Sequence, residues 1–234
     1  MSIDSLLVVA VTGLAKEARI AEGPGVCAIA GGGDPQRLAS ALGHELARGA
    51  RAVISFGIAG GLAENIAAGA WLVPRAVVTQ DARWPCNMAW AALLAERLPG
   101  AITADLAGVD APVMRSDAKR ALHRATGAAA VDTESHIAAA IASRHGLPFA
   151  AFRVIADRAL RQLPPVASVA ITSDGRVSRT AVLRSLAQTP AQIPLLLLAA
   201  VDARRAFRAL LRGRRLLGPG LGCPDLAEPL FDML

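Results

Sequence analysis

The stretch AVISFGIAGGL at residues 52–62 decides the fold expected for this chain of 234 residues. It begins as an apolar run of strand length and ends in a turn of small residues. Similar apolar runs occupy residues 6–11, 26–30, 71–78, 128–131 and 149–155, and helical patterns occupy residues 35–48, 88–98, 116–125 and 134–145. Apolar strands that alternate with helices indicate an α/β fold around a largely parallel sheet, buried on both faces.

Composition narrows the class of protein. Hydrophobic residues make up 53% of the chain and charged residues 19%, which excludes a disordered chain. No apolar run approaches the roughly 20 residues of a membrane span, and the N-terminus lacks a basic leader region; we therefore expect a cytoplasmic protein. The net charge of +6 comes almost wholly from Arg, because Lys16 and Lys119 are the only lysines. Aromatics are scarce at 3%, so no nucleic-acid partner is expected.

The carboxyl ends of the strands are where ligands bind in such sheets. Glu17 follows the first strand, where its carboxylate could act as a base or bind a hydroxyl. The alternative is a solvated acid in the first turn of a helix, which the helix dipole favours.

Two glycine-containing segments follow the second and third strands. Gly32 and Gly33 could present backbone N–H groups to phosphate, with Arg37 closing the site. The same residues also fit an ordinary turn into a helix that Asp34 caps. The small residues after the third strand, in the range 57–61, either let a ligand approach the backbone or allow tight packing.

Two acids stand at the ends of later strands. Glu134 and Asp157 could bind a sugar diol and protonate a leaving base, respectively, if burial raises their pKa values. The alternative for each is an acid at a helix N-terminus.

Five segments in order resemble one superfamily. They are GLAKEAR, GGGDPQR, SFGIAGGL, VDTES and FRVIADRA, at residues 13–19, 31–37, 55–62, 131–135 and 152–159. The AGGL, VDTES and RVIAD patterns resemble those of the purine nucleoside phosphorylase and methylthioadenosine/S-adenosylhomocysteine nucleosidase superfamily. The full set is more similar to the hopanoid-associated phosphorylases. The resemblance covers roughly residues 6–160.

The resemblance implies a fold and a set of roles. The fold is a single-domain three-layer α/β/α sandwich around a mixed, largely parallel sheet, in a homodimer or higher oligomer. Asp157 would protonate or bind the purine, Glu134 would hold the ribose hydroxyls, and Glu17 would activate water. The remaining residues implied to bind substrate are Thr133, Ala59, Gly60, Gly61, Val113 and Met114.

The implied reaction is cleavage of the N-glycosidic bond of adenosylhopane, which releases adenine and gives phosphoribosylhopane. Ile58 stands where phosphorylases often have Ser or Thr, and Thr133 replaces the family Met. Phosphate and water therefore both stay open as the nucleophile; we favour phosphorolysis, with inorganic phosphate as co-substrate and no metal or other cofactor. The alternatives are a nucleosidase giving ribosylhopane or acting on methylthioadenosine-like substrates, and a non-catalytic nucleoside- or lipid-binding relative.

We expect an α/β domain at residues 1–192, an Arg-rich amphipathic helix of the same domain at 193–217 and a Gly- and Pro-containing tail at 218–234. A helix with leucines on one side and arginines on the other predicts peripheral contact with the inner membrane surface. The alternative is a surface helix packed on the sheet. Trp84, Met88 and Trp90 form either an apolar mouth for a hopane skeleton or part of a core helix.

Overall fold

A computed structural model of the chain describes residues 7–166, 172 and 175–224. The strands are β1 (Val8–Thr12), β2 (Val26–Ala30), β3 (Ala52–Gly61), β4 (Trp71–Val78), β5 (Arg83–Pro85), β6 (Ile102–Gly108), β7 (Ala130–Asp132) and β8 (Phe149–Asp157). The helices are α1 (Ala15–Ala21), α2 (Pro35–Ala47), α3 (Met88–Arg97), α4 (Ser116–Thr126), α5 (Ser135–Arg144), α6 (Arg179–Gln188) and α7 (Ile193–Leu217). Part of the predicted tail, residues 225–234, lies outside the described residues.

The strands form one mixed sheet. The order β2-β1-β3-β7-β6-β4-β5 is closed by β8, which pairs with both β3 and β4. Pairings β1–β2, β1–β3, β3–β8, β4–β6 and β6–β7 are parallel. Pairings β3–β7, β4–β5 and β4–β8 are antiparallel. The prediction of a mixed, largely parallel sheet is confirmed, and the strands β3, β7, β6, β4 and β8 close into a ring.

Helices cover both faces of the sheet, as the apolar strands require. Along β1, Val9 and Val11 pack in one core with residues of α2 and α5. Val8 and Ala10 point the other way and pack with residues of α1, α3 and α7. Successive side chains of a strand face opposite sides, so a strand apolar at every position must be covered twice. The three-layer α/β/α architecture is confirmed.

Helix α2 begins where its sequence predicts. The Asp34 side chain accepts the backbone N–H of Arg37 at 2.9 Å, and Pro35 occupies the first helical position. Both features favour a helix start, since a cap satisfies an orphan N–H and Pro has none to satisfy. Leu38 and Leu42, one turn apart, are buried on the sheet.

Strands β3, β5 and β6 differ from the sequence prediction, and the short strand β5 was not predicted. Strand β3 runs on through the glycines to Gly61, because its second half pairs with β7 and β8. Strand β6 was not predicted, because Thr103 and Asp105 interrupt its apolar pattern. Asp105 forms an ion pair with Arg83 of β5, which places a charge at the edge of the sheet.

Helix α7 packs on the sheet through one stripe. Its buried residues are Asp202, Ala206, Leu210, Gly213 and Leu217, at helical spacing. This agrees with the alternative of a surface helix packed on the sheet.

The solvent face of α7 agrees with the predicted arrangement in the second half of the helix only. Its first half exposes Ile193, Leu197 and Val201. Its second half exposes Arg204 and Arg208 along the same face. In the second half, Leu210 is buried while Arg204 and Arg208 are exposed, so apolar and basic residues occupy opposite sides there, as predicted. The first half instead has an apolar solvent face.

In the described part of the chain, no single helix has the length and apolar character to cross a membrane. One bent pair, Arg179–Gln188 with Pro190–Leu217, meets these criteria together across a 112° bend.

Candidate active site

A cavity of about 360 Å³ lies where β1, β3, β7 and β8 end. This volume falls within the range of small-molecule sites. Its lining includes five carboxylates, those of Glu17, Asp110, Asp132, Glu134 and Asp157. In the part of the chain that the structure describes, no Lys or Arg lines it. Nor do the described residues bring together three His, Cys, Asp or Glu side chains able to hold a metal ion.

Glu17 is buried beside the cavity, with 1% of its surface exposed. Its Oε2 accepts the backbone N–H groups of Gly13 at 2.9 Å and Leu14 at 2.7 Å. Its Oε1 accepts the backbone N–H of Ile58 on β3 at 2.8 Å. The alternative of a solvated first-turn acid is therefore wrong, because α1 turns this residue into the protein.

Burial raises the pKa of Glu17 to about 7. Loss of hydration is the largest cause, and the Arg153 guanidinium and the backbone N–H of Ile58 act against it. Glu134 adds a repulsion that raises the pKa further. A carboxylate that titrates near neutral pH is suited to general base catalysis.

Arg153 is the central cation of the site, and the sequence reasoning gave it no role. It is fully buried, and its Nε lies 2.7 Å from Asp132 Oδ2. Its Nη2 donates to the hydroxyls of Ser55 at 2.5 Å and Ser135 at 3.1 Å. The same nitrogen lies 3.9 Å from Glu134 Oε2. A charge in the middle of the apolar strand β8 was the signal that could have identified it.

Glu134 directly precedes α5, but its side chain forms no capping hydrogen bond with the helix. Asp132 Oδ1 accepts the backbone N–H groups of Glu134 at 3.2 Å and Ser135 at 2.8 Å. The Glu134 carboxylate instead lines the cavity and accepts the Thr133 hydroxyl. Burial, followed by the charge of Asp132, raises the pKa of Glu134, and Arg153 opposes the shift.

Asp157 ends β8 and also lines the cavity. No helix follows it directly, so the helix-terminal alternative does not apply. Burial raises its pKa, and the buried ammonium of Lys119 opposes the rise. Lys119, on α4, forms an ion pair with Asp157. The sequence reasoning missed this lysine as well.

The small residues of β3 serve two purposes: some let a ligand approach the backbone, and others allow tight packing. Ala59 and Gly60 line the cavity. Gly61 does not; a Cβ there would lie 2.8 Å from the Asp157 carbonyl oxygen, so its size serves packing. Gly57 has a φ of 151°, and a Cβ there would lie 2.7 Å from both Glu17 and Arg153.

Most of the predicted site residues are brought together, and three are not. Those that line the cavity are Glu17, Gly32, Gly33, Ala59, Gly60, Val113, Thr133, Glu134 and Asp157. Gly61, Met114 and Arg37 are not among its lining residues.

The predicted phosphate clamp is corrected on two grounds. Arg37 is exposed and does not line the cavity. In the glycine loop, the Gly31 N–H donates to the Thr12 carbonyl at 2.7 Å and the Gly32 N–H to the Gly13 carbonyl at 3.0 Å. The N–H groups of Gly31 and Gly32 therefore hold the loop to the end of β1 and are not directed at an anion, whereas Gly33 lines the cavity.

Of the two alternatives for Trp84, Met88 and Trp90, the structure favours the core helix at Trp90. Trp90 is fully buried, and its indole N–H donates to the Leu221 carbonyl at 3.1 Å. Met88 is 86% exposed, and Trp84 lines a different cavity. The core-helix alternative holds for Trp90.

Comparison with known proteins agrees with this fold. Residues 105–193 match the sequence profile of the Phosphorylase superfamily, which is less than half of the chain. No curated protein matches the sequence.

Among solved structures, 5′-methylthioadenosine/S-adenosylhomocysteine nucleosidase from S. pneumoniae aligns with a TM-score of 0.61 and 16% identity, over 90% of this chain and 99% of that one. The enzyme of that name from Helicobacter pylori aligns with a TM-score of 0.63 and 13% identity, over 92% and 97%. Futalosine hydrolase of Helicobacter pylori aligns with a TM-score of 0.56 and 16% identity, over 66% and 91%. The fold and the matched segment together support an enzyme of the nucleosidase and phosphorylase type.

Proposed function

We propose that this protein hydrolyses the N-glycosidic bond of a purine nucleoside. The observation that carries the proposal is the arrangement of three buried carboxylates, Glu17, Glu134 and Asp157, around one cavity. Burial raises the pKa of each of them. Three acids with raised pKa values can divide the roles of base, sugar ligand and acid.

The leaving base requires a proton. A purine departs poorly as an anion, and a proton delivered to its imidazole nitrogen removes that charge as the bond breaks. Asp157 is the proposed donor, because it lines the same cavity as Glu17 and Glu134 and burial raises its pKa. General acid catalysis of this kind contributes about 10²–10⁴-fold.

The ribose becomes cationic as the base departs. Glu134 is the proposed ligand of the ribose hydroxyls, and its negative charge favours the developing oxocarbenium ion. The ion pairs of Arg153 with Asp132 and Glu134 fix this side of the cavity.

Water is the nucleophile that the electrostatics favour. The carboxylates that line the cavity repel a phosphate dianion, and no described Arg or Lys lines it to offset them. Glu17, with a pKa of about 7, can accept a proton from water at neutral pH. Hydrolysis is therefore proposed ahead of the phosphorolysis that the sequence resemblance favoured, which becomes the alternative.

Adenosylhopane is the proposed substrate within this class, on the resemblance of the motifs GGGDPQR and SFGIAGGL to hopanoid-associated phosphorylases. Hydrolysis would give adenine and ribosylhopane. Methylthioadenosine or S-adenosylhomocysteine is the alternative, since structures aligned with this chain are of nucleosidases with those names. A homodimer or higher oligomer is likewise proposed from the resemblance.

Peripheral contact with an anionic membrane is proposed for the solvent face of α7. The exposed apolar half, with Leu197 63% and Val201 49% exposed, is suited to lipid. The basic half, with Arg204, Arg208 and Arg212, is suited to anionic headgroups. Co-sedimentation with anionic vesicles should fall when these three arginines become Gln; unchanged binding would contradict the contact.

Base release tests the proposed function. Purified protein is incubated with adenosine, methylthioadenosine and adenosylhopane in detergent, each with and without inorganic phosphate, and adenine is quantified. We expect adenine from adenosylhopane at a rate that phosphate does not change. Release that depends on phosphate would establish a phosphorylase.

The substrate panel separates the remaining alternatives. Preference for methylthioadenosine would contradict the lipid substrate but retain the reaction. Tight nucleoside binding with no adenine from any substrate would indicate a non-catalytic binding protein. Full activity of Asp157→Ala would contradict the assigned acid.

A further inference from the structure

Lys119 is a buried lysine with every donor occupied. The residue is 0% exposed, and its Nζ donates to Asp157 Oδ2. The same nitrogen donates to the carbonyl oxygens of Arg158 and Arg161, each at 3.2 Å. An ammonium has three N–H groups, and this site supplies three acceptors.

The other charges near Asp157 are directed elsewhere. Arg161 Nη2 lies 3.0 Å from Asp202 Oδ2 on α7. Arg205 Nη1 lies 3.5 Å from the other oxygen of Asp202. Asp202 raises the pKa of Asp157 and Arg161 lowers it, but both effects are smaller than those of burial and Lys119. Among the described residues, Lys119 is thus the cation in direct contact with the proposed acid.

The site can hold a proton on either side of the Lys119–Asp157 contact. With the proton on Nζ, three N–H groups meet one carboxylate and two carbonyl oxygens. With the proton on Asp157, a neutral amine still donates to both carbonyls, and its lone pair accepts from the carboxylic acid. No polar group loses its partner in either state, so transfer between them leaves no buried donor unpaired.

We propose that Lys119 is a positioning residue that holds Asp157 and supplies the proton which Asp157 gives to the departing purine. The inference rests on the proposed function. The proton first moves from Nζ to Asp157. As the C1′–N9 bond breaks, its electron pair goes to N9 and the Asp157 proton goes to the imidazole nitrogen N7, which leaves an ionised Asp157 beside a neutral Lys119 amine. Solvent returns a proton to Nζ after the base departs.

Lysine suits this role and arginine does not. An ammonium can release its proton in a buried site, whereas a guanidinium stays charged. Arginine would keep Asp157 ionised by charge alone, with no proton to give. A comparison of lysine with arginine at position 119 therefore distinguishes a proton donor from a group that supplies only a positive charge.

The first test compares Lys119→Met with Lys119→Arg by pH–rate profiles on a nucleoside that the wild type cleaves. In Lys119→Met, Asp157 carries its own proton at low pH, because burial raises its pKa. We expect the ratio of kcat at pH 8 to kcat at pH 6 to fall about 10-fold or more from its wild-type value, with KM within about 3-fold.

Lys119→Arg should be at least as impaired at pH 8 as Lys119→Met. If Lys119→Arg keeps kcat at pH 8 within about 3-fold of the wild type, the proposal is overturned. A pH–rate profile of Lys119→Met with the same shape as that of the wild type would also overturn it. Arg120→Met, an exposed change on the same helix, controls for effects on α4. Each variant is compared within its own pH series, so a constant loss of folded protein does not alter the ratio.

The second test uses the fact that the chain has only two lysines, Lys16 and Lys119. Protein labelled with ¹⁵N at the lysine side chain gives two Nζ resonances, and Lys16→Arg assigns them. We expect adenine to bind more weakly above the pH at which the Lys119 resonance loses its proton. If the affinity for adenine does not change as the Lys119 resonance loses its proton, the proposal is overturned, whether or not nucleosides are cleaved.

These two tests also separate the proposal from the function on which it rests. If the wild type cleaves no nucleoside while adenine binding follows Lys119, the proposed function fails and the proton assignment stands. If cleavage occurs with an unchanged Lys119→Met profile, the function stands and the assignment fails.

Discussion

The carboxylate of Glu17 accepts the backbone N–H of Ile58 at 2.8 Å, although 41 residues separate the two in the chain. This bond joins the first turn of α1 to the middle of β3. It fixes one carboxylate oxygen at the wall of the cavity, while the N–H groups of Gly13 and Leu14 hold the other. The proposed base is therefore held by backbone groups and does not depend on a flexible side-chain partner.

Replacing Glu17 by Gln should remove the base and leave the fold. We expect kcat to fall about 10²–10⁴-fold with KM changed far less. The wild type should lose activity as pH falls below about 7, because protonated Glu17 cannot accept a proton. Steady-state kinetics from pH 5 to 9 checks both. Glu96→Gln, an exposed change on α3, is the matched control, and equal effects of the two changes would contradict the assignment.

Glu17 should also make the stability of the protein depend on pH. Its pKa is about 7 in the folded protein and 4.5 in the unfolded chain. Between these values the folded state binds more protons, so the free energy of unfolding falls as pH rises from 4.5 to 7. The contribution is at most about 3 kcal/mol.

Urea unfolding at several pH values measures this slope. Glu17→Gln should flatten it, even if the amide, facing backbone donors, lowers stability at every pH. A slope that is the same in both proteins would show that Glu17 is ionised throughout.

Asp157→Asn should impair the chemical step. Asparagine keeps the shape but has no acidic proton, so we expect a fall in kcat of about 10²–10⁴-fold. The loss should shrink for a substrate whose leaving group is already a good anion, such as a nitrophenyl riboside. Asp117→Asn, at an exposed carboxylate on α4, is the control, and an equal loss with both substrates would argue against proton donation.

Gly57→Ala tests the close approach of β3 to the site. A Cβ at Gly57 would lie 2.7 Å from Glu17 and Arg153, and its φ of 151° disfavours a side chain. We expect lower activity and a lower melting temperature. Gly43→Ala is the contrasting change, because a Cβ at this position of α2 meets nothing within 4 Å. It should stabilise the protein by about 0.5–1 kcal/mol; a neutral Gly57→Ala would contradict the packing described.

Arg153→Gln should shift the pH dependence and weaken the fold. Arg153 lowers the pKa of Glu17, so its loss should move the acidic limb of kcat to higher pH. Removing one partner of a buried ion pair costs about 3–5 kcal/mol. Arg51→Gln, at an exposed position, is the control for kinetics and chemical denaturation. If the acidic limb of kcat does not move, Arg153 does not influence the pKa of Glu17.

Much of the fold could be predicted from local patterns. Apolar runs predicted β4 with its observed bounds, and the sequence around Asp34 and Pro35 predicted the start of α2. Strand β6 was not predicted, because the polar residues Thr103 and Asp105 interrupt its apolar pattern. Its place in the sheet depends on pairing with distant β4 and β7, which no local pattern contains.

The sequence predicted the acidic residues of the site and missed its two buried cations, Arg153 and Lys119. Glu17, Glu134 and Asp157 follow strands, where the rule for α/β sheets directs attention. Lys119 lies on a polar helix, and only the tertiary fold brings it to Asp157. Arg37 was misassigned because a glycine loop beside an arginine is consistent with a phosphate site until the directions of the N–H groups are known.

The most direct test of hydrolysis is the origin of the oxygen on the sugar. The reaction is run in H₂¹⁸O with inorganic phosphate present, and the ribosyl product is examined by mass spectrometry. We predict one ¹⁸O at C1 of a free sugar and no sugar phosphate. A ribosyl 1-phosphate product would contradict it and make phosphate the nucleophile.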